Sequence, residues 1–98
     1  MSCPADPQEV CLPVEDLVVD NITINSAVVT WTGVGNFRYR LYQLVNNNYV
    51  QLQQVDTNLT NVNLIGLTFD TTYRIHVTKL CSPVSESIYL EAIFKTLK

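Results

Sequence analysis

Apolar and polar residues alternate along short runs of this chain, and turn residues separate the runs at fairly regular intervals. In the run 26–32, Ala27, Val29 and Trp31 fall on one side, and the residues between them fall on the other. A period of two is that of a β-strand, whose successive side chains point to opposite faces of a sheet. The pattern therefore predicts an all-β chain.

Seven short strands are predicted from this alternation. The segment 83–87, between the last two of them, is interpreted as a loop because it contains Pro83 and two serines. Many short strands separated by turns are typical of an antiparallel immunoglobulin-like β-sandwich, which is the predicted fold class. The predicted strands are 17–23, 26–32, 37–45, 49–55, 61–67, 73–80 and 88–96.

Composition agrees with one β domain. The 98 residues make room for a single core, and they include thirteen Val, six Ile and ten Thr but only three Ala. β-Branched side chains suit a pleated sheet and lose rotamer freedom in a helix. Residues 1–12 have prolines at positions 4 and 7 and no apolar period. They are predicted to form an extended N-terminal arm, and residues 13–98 are predicted to form the domain.

Charge and hydropathy argue against several kinds of partner. Six Lys plus Arg stand against nine Asp plus Glu, a net charge of −3, whereas a nucleic-acid binder needs a basic surface. No run approaches the roughly 20 apolar residues that span a membrane, and the start of the chain lacks the pattern of a secretory signal. We therefore expect no nucleic acid and no membrane insertion. The chain is expected to be either complete and made in the cytoplasm or excised from a larger protein.

Catalytic and cofactor chemistry has little support in the sequence. His76 is the only histidine, and no Cys or second His stands beside it at the spacing of metal ligands. No serine has a histidine at the position of a catalytic triad. The segment Gly33–Gly35 lacks the following helix that a phosphate-binding loop needs. We expect a protein that is not an enzyme and binds no metal or cofactor.

The charges are distributed unevenly. Five of the nine acids lie in the first twenty residues, which contain no Lys or Arg. Most cationic side chains instead alternate outward on the third, sixth and seventh predicted strands, which are neighbours in one sheet of this fold. The arm and this sheet face are candidates for docking on an acidic partner or a neighbouring copy, and an ordinary solvated surface is the alternative. The candidate docking residues are Cys3, Pro4, Asp6, Pro7, Arg38, Arg40, Tyr42, Arg74, His76 and Lys95.

Five segments of the chain match one known family. They are residues 17–19, 26–31, 39–41, 64–67 and 71–77. With these segments, the chain from about Cys11 to Lys98 resembles a fibronectin type III domain. The resemblance implies that Tyr73 is the tyrosine-corner residue, whose hydroxyl bonds back to the backbone before the sixth strand. It also implies a fold-defining core of Trp31, Tyr39, Leu41, Leu67, Tyr73 and Val77.

Two cysteines make the resemblance more specific. Cys11 precedes the first strand in a Cys-x-Pro motif, and Cys81 follows the sixth strand. Both positions resemble the form of this domain that is common in Bacteroidetes bacteria and their phages. The resemblance implies a Cys11–Cys81 disulfide that attaches the arm to the sandwich, and three free thiols in a reducing compartment are the alternative. With that disulfide, Cys3 is left free or pairs between molecules.

These features together predict a non-catalytic structural interaction module. The foremost hypothesis is an auxiliary or decoration protein on the capsid of a tailed bacteriophage, located in the virion and bound to a capsid lattice or to other copies of itself. The alternative is a spacer or adhesion module excised from a secreted multidomain bacterial protein, extracellular or at the cell surface. Loops are expected to make weak contacts with glycans of the host surface. These candidate exposed loop residues are Gly33, Val34, Gly35, Asn46, Asn47, Asn48 and Tyr49.

Overall fold

Eight strands form in the computed structural model of the protein, which describes residues 11–82 and 85–98. No helix that is long and apolar enough to cross a membrane occurs in these two ranges. The strands are β1 (Glu15–Asp20), β2 (Ala27–Thr32), β3 (Asn36–Val45), β4 (Asn48–Thr57), β5 (Asn61–Leu64), β6 (Thr72–Ser82), β7 (Ser85–Glu86) and β8 (Leu90–Lys95).

The strands form two antiparallel sheets. One has the order β1-β2-β5, and the other has the order β4-β3-β6, with β7 and β8 paired one after the other along the remaining side of β6. The predicted immunoglobulin-like sandwich is thus confirmed, with eight strands instead of seven. The additional strand lies in the segment 83–87 that was interpreted as a loop, because Ser85 and Glu86 pair with Ser82 and Leu80.

Two turns determine where β3 and β5 end and where β4 begins. Val45 pairs with Asn48, so Asn46 and Asn47 form a two-residue hairpin loop, with φ angles of 51° and 69°. Such a loop matches the twist of the flanking strands, and Asn tolerates its left-handed conformation. β5 ends at Leu64, before the predicted end at residue 67, because Gly66 turns the chain with a φ of 68°.

The core lies between the two sheets and is rich in aromatic contacts. Trp31 packs edge-on against Phe37 at a centroid distance of 5.8 Å, and Tyr73 stacks on Phe94 at 5.6 Å. Leu67 is only partly buried and packs against the margin of the core. The other residues expected in the core are at most 6% exposed: Trp31, Tyr39, Leu41, Tyr73 and Val77.

Side chains hold the connection between β5 and β6. The backbone N–H of Thr68 donates a hydrogen bond to the hydroxyl of Tyr73 at 2.7 Å. Thr96, which follows β8, donates from Oγ1 to the carbonyl of Thr68 at 2.7 Å and accepts from the N–H of Thr71 at 2.9 Å. Buried Tyr73 and Thr96 are therefore paired with backbone groups that would otherwise lack partners.

A disulfide joins the start of the described chain to β6. Cys11 and Cys81 are 70 positions apart in the sequence, and their Cα atoms lie 5.7 Å apart. Val14, which is 2% exposed, is the first of the described residues that enters the core. The remaining arm residues, 1–10, lie outside the described residues, and with them the predicted docking positions Cys3, Pro4, Asp6 and Pro7.

Candidate interaction surface

Side chains of the larger sheet that point away from the core form a surface that we call the outer face. The buried residues of β3 are Phe37, Tyr39 and Leu41, so the residues between them point to the opposite side. The strand register extends this face across β4, β6, β7 and β8. Its members are Arg38, Arg40, Tyr42, Tyr49, Gln54, Asp56, Arg74, His76, Thr78, Glu86, Tyr89, Glu91, Ile93 and Lys95.

Two arginines of β3 are bound by two carboxylates, and we call these four residues the arginine–carboxylate network. Arg38 donates two hydrogen bonds to Asp56, at 2.6 and 3.0 Å, and one to Glu86 at 2.9 Å. Arg40 donates to both carboxylate oxygens of Glu86 at 3.1 Å. Paired donors on a planar guanidinium fix geometry as well as adding energy. The network therefore holds the two arginines in fixed positions on the outer face.

Glu86 is the centre of the network, and its surroundings favour the ionised carboxylate. The pKa of Glu86 is lowered from 4.5 to about 2, chiefly by the hydrogen bonds from Arg40 and also by those from Thr78 and Arg38, although partial burial acts in the opposite direction. The hydrogen bond from Arg38 likewise lowers the pKa of Asp56. Both carboxylates are therefore charged at neutral pH.

We expect Glu86 to make stability fall in acid. Because its pKa is lower in the folded chain, its contribution is complete above a pH of about 4.5 and is lost as the pH falls toward about 2. The loss should be about 1 kcal/mol, since solvent screens a surface network. Urea unfolding across this pH range should show a weaker dependence for Glu86→Gln than for the control Glu15→Gln, which removes an exposed carboxylate from β1. Identical pH profiles for wild type and Glu86→Gln would contradict this role.

Next to the network, five side chains stack into an aromatic cluster that consists of Tyr42, Tyr49, Arg74, His76 and Tyr89. The guanidinium of Arg74 lies over the rings of Tyr49 and Tyr42, at 4.1 and 4.9 Å from their centroids. The ring of His76 lies 4.9 Å from Tyr42 and stacks on Tyr89 at 3.9 Å. A cation over an aromatic face is attracted by the ring quadrupole. The cluster is therefore a continuous stack that crosses the sheet.

Carboxylates also accompany the remaining cations of this face. Glu91 lies 2.9 Å from Nε2 of His76 and 3.6 Å from Nε of Arg74. Lys95 lies 3.3 Å from Asp70. The face is thus charge-paired and not basic as predicted, because acids from four segments lie beside its cations. Docking on an acidic partner stays a prediction. The cations with a carboxylate within 4 Å are Arg38, Arg40, Arg74 and Lys95.

His76 is more buried than the alternation predicted. Its position in β6 does point to the outer face, but the residue is only 8% exposed, and Tyr42 and Tyr89 lie against its ring. Thr78, which is 3% exposed, donates to Glu86 at 2.9 Å. The predicted exposed face is thus partly covered by its own side chains.

A β-bulge between β7 and β8 positions the residues that cover this face. Two residues of β6 stand opposite three residues, 87–89, on the other strand. Ser87 fixes the bulge, because its N–H donates to the carbonyl of Lys79 and its Oγ accepts from the N–H of Lys79, both at 2.9 Å. Bulges change the direction in which neighbouring side chains point. Here Glu86, directly before the bulge, and Tyr89, its last residue, both lie on the outer face.

Comparison with known proteins identifies the fold. No family model matches the chain, and no curated protein matches it. A computationally redesigned β-sandwich protein of known structure gives a TM-score of 0.78 at 24% identity, covering 91% of this chain and 93% of that one. The fn3 domain of human collagen α-1(XX) gives 0.76 at 20% identity, covering 89% and 86%. The FN5 domain of Drosophila Lar gives 0.72 at 19% identity, covering 89% and 99%. The chain has the fibronectin type III fold.

Fibronectin type III domains are generally non-catalytic structural modules, and this chain is similar to them in fold. Within residues 11–82 and 85–98, no three His, Cys, Asp or Glu side chains come close enough to hold a metal ion together. The fold fits a non-catalytic interaction module, and the outer face is the surface on which the sequence-predicted docking residues of the described chain meet.

The predicted glycan-contacting loops lie at opposite ends of the sandwich. Gly33–Gly35 precedes β3 and Asn46–Asn48 follows it, and ten residues of strand separate them by about 33 Å. Gly33 is partly buried, and a Cβ atom there would lie 2.9 Å from Cε1 of Phe37. Tyr49 belongs to β4 and to the aromatic cluster. The loops therefore form two separate surfaces, and Gly33 and Tyr49 have structural contacts of their own.

Proposed function

We propose that this fibronectin type III domain is a non-catalytic module that binds another protein through the outer face. The observation that carries the proposal is a pair of exposed anchors on a rigid, charge-paired surface. Tyr89, directly before β8, is 53% exposed, and Ile93, within β8, is 57% exposed, with Glu91 between them in the sequence. Exposed tyrosines are frequent hot spots of protein interfaces, where they fill pockets of the partner.

The surroundings of these anchors favour binding because they are already ordered. Tyr89 is held by its stack on His76, so docking would restrict few additional rotamers. The cations nearby are bound by carboxylates of the same chain, so a partner would not have to supply charges to pair with them. The partner that fits this face is a protein surface with an apolar pocket, and it need not be acidic.

The proposed setting is the surface of a tailed-phage virion, with the capsid lattice or a neighbouring copy as partner. The positions of Cys11 and Cys81, which resemble those in domains of Bacteroidetes and their phages, support this setting. The disulfide between them suits a particle that leaves the reducing cytoplasm. The alternative setting is a secreted multidomain bacterial protein, in which the domain is a spacer or adhesion module, and the same disulfide suits it equally.

Mass spectrometry of purified virions distinguishes the two settings. In particles of the phage whose genome carries this reading frame, we expect the chain at a fixed ratio to the major capsid protein. A reading frame that continues past Lys98 into a further domain, or particles without the chain, would contradict the virion setting and support the secreted protein.

Binding to virions that lack the chain tests the outer face. We expect the double variant Tyr89→Ala/Ile93→Ala to bind at least about tenfold more weakly than wild type, which corresponds to about 1.4 kcal/mol and is modest for two anchors. The control is Val18→Ala, because Val18 is 48% exposed on β1 of the other sheet. Equal binding of the double variant and the control would contradict a role of the outer face.

A further inference from the structure

The free edge of β4 is a second surface, which borders the outer face, and it is considered independently of the function proposed for that face. β4 (Asn48–Thr57) pairs with β3 along one side, and no other strand in the described part of the chain pairs with its second side. A strand at a sheet edge presents a row of backbone N–H and C=O groups to which another strand can bind. This row extends along ten residues.

The other sheet edges carry features that discourage pairing. β1 has an irregularity near Asp16, whose φ is 56°, and acidic residues at its start and end. β5 has only four residues. The edge formed by β7 and β8 is interrupted by the bulge and carries Glu91 and Lys95. β4 has one charged residue, Asp56, and contains no Lys and no Pro. Charges, prolines, bulges and short length are the usual protection of an edge, and β4 has only one charge and one bulge along its ten residues. It is therefore the least protected edge.

An extra residue near the middle of β4 determines which residues share a side. Gln51 pairs with Tyr42 of β3, and Gln53 pairs with Leu41, so Leu52 forms a β-bulge between them. In a regular strand, two side chains an even number of positions apart point to the same side of the sheet. When an extra residue lies between them, side chains an odd number of positions apart do so instead. The residues of β4 are therefore distributed differently from those of a regular strand.

We propose that β4 pairs with β4 of a second copy of this chain, antiparallel, about a two-fold axis between Leu52 and Gln53. Val50 then lies opposite Val55 of the second copy, and Gln51 lies opposite Gln54. Residues that lie opposite each other in an antiparallel pair must share a side of the sheet. Because of the bulge, the two valines both point to the core side, and the two glutamines both point to the outer side.

The side chains of this register match each other. Val50 and Leu52 are each 48% exposed, and the glutamines between and after them are exposed as well. Contact between the two valines buries apolar surface, and contact between the two glutamines pairs their side-chain amide groups. The strand is thus complementary to itself, which selects a second copy over an unrelated peptide as its occupant. A two-fold pair of this kind is closed and does not extend into a filament.

Charge also favours this register. Asp56 lies opposite Tyr49 of the second copy, so the two Asp56 carboxylates lie about 24 Å apart along the strands. Each stays bound to its own Arg38 at 2.6 Å. A register that placed the two carboxylates opposite each other would be destabilised by repulsion.

Sedimentation velocity of the full chain tests this pairing, with Cys3→Ser in every sample so that no intermolecular disulfide can form through Cys3. Between about 1 µM and about 1 mM, where weak interfaces dissociate, we expect a monomer–dimer equilibrium. Val50→Lys should raise the dissociation constant at least about tenfold. Val18→Lys is the control, because both valines are 48% exposed in edge strands. A chain that stays monomeric, or two variants that weaken the dimer equally, would overturn the proposal.

A second experiment tests the proposed register of the two β4 strands without any substitution in β4. In a mixture of isotope-labelled and unlabelled protein, we expect intermolecular NMR contacts between the methyl groups of Val50 and Val55. These contacts should strengthen with protein concentration together with the dimer. A dimer that lacks them would overturn the proposed register even if its mass were correct.

Discussion

Replacing Cys11 and Cys81 together by serine is expected to lower the free energy of unfolding by about 4 kcal/mol. The disulfide joins residues 70 positions apart, and a crosslink across a loop of this length removes much conformational entropy from the unfolded chain. The folded state should keep its sandwich, because the core is formed by residues from Val14 onward. Since a domain of this size has only about 5–15 kcal/mol of stability, the loss is a large fraction of the whole.

Guanidinium unfolding at neutral pH measures this effect. The control is Cys3→Ser, which also removes a thiol but leaves the Cys11–Cys81 bond in place, and it should change the free energy by less than about 0.5 kcal/mol. A loss of under about 1 kcal/mol in the double variant would mean that the disulfide does not constrain the unfolded chain as proposed.

Tyr73→Phe is expected to lower the free energy of unfolding by about 2 kcal/mol. The substitution keeps the ring that stacks on Phe94 but removes the hydroxyl that accepts a hydrogen bond from the N–H of Thr68. Tyr73 is 1% exposed, so water cannot readily replace the lost partner. An unpaired buried donor destabilises the folded state by about 1–3 kcal/mol.

The matched control is Tyr49→Phe. The ring of Tyr49 contacts the guanidinium of Arg74 through its face, and a phenylalanine ring keeps that contact. Chemical unfolding should show a change of less than about 0.5 kcal/mol for this variant. If the two variants lose the same stability, the hydrogen bond to Thr68 contributes nothing to it.

Strand alternation predicts the inner faces of the central strands well. Ala27, Val29 and Trp31 were placed on one side of the second strand from their spacing, and all three are at most 4% exposed. The reason is physical, because burial of one side of a sheet imposes a period of two on the local sequence. Leu67 was placed in the core but lies at its margin, since Gly66 ends the alternation before it.

Contacts across the outer face do not follow from local spacing. Arg38 and Glu86 are 48 positions apart and meet only because a two-residue strand forms where Pro83 and two serines predicted a loop. The covering of His76 by Tyr89 depends on the same bulge. The sequence contained a usable signal for only one of the two acids: Glu91 stands between the apolar residues Leu90 and Ala92 of the last predicted strand, whereas Glu86 stands between two serines. The pairing of strands that are distant in the sequence determines which cations these two acids bind.

Mass spectrometry of the intact protein from its natural source is the most direct test of the central claim. That claim is that the domain functions with its disulfide formed, outside a reducing compartment. The chain is unfolded and alkylated without reductant. The chain has three cysteines and one disulfide, so one added group, at Cys3, is the expected result. Three added groups would show free thiols at Cys11 and Cys81 and would contradict the oxidised setting.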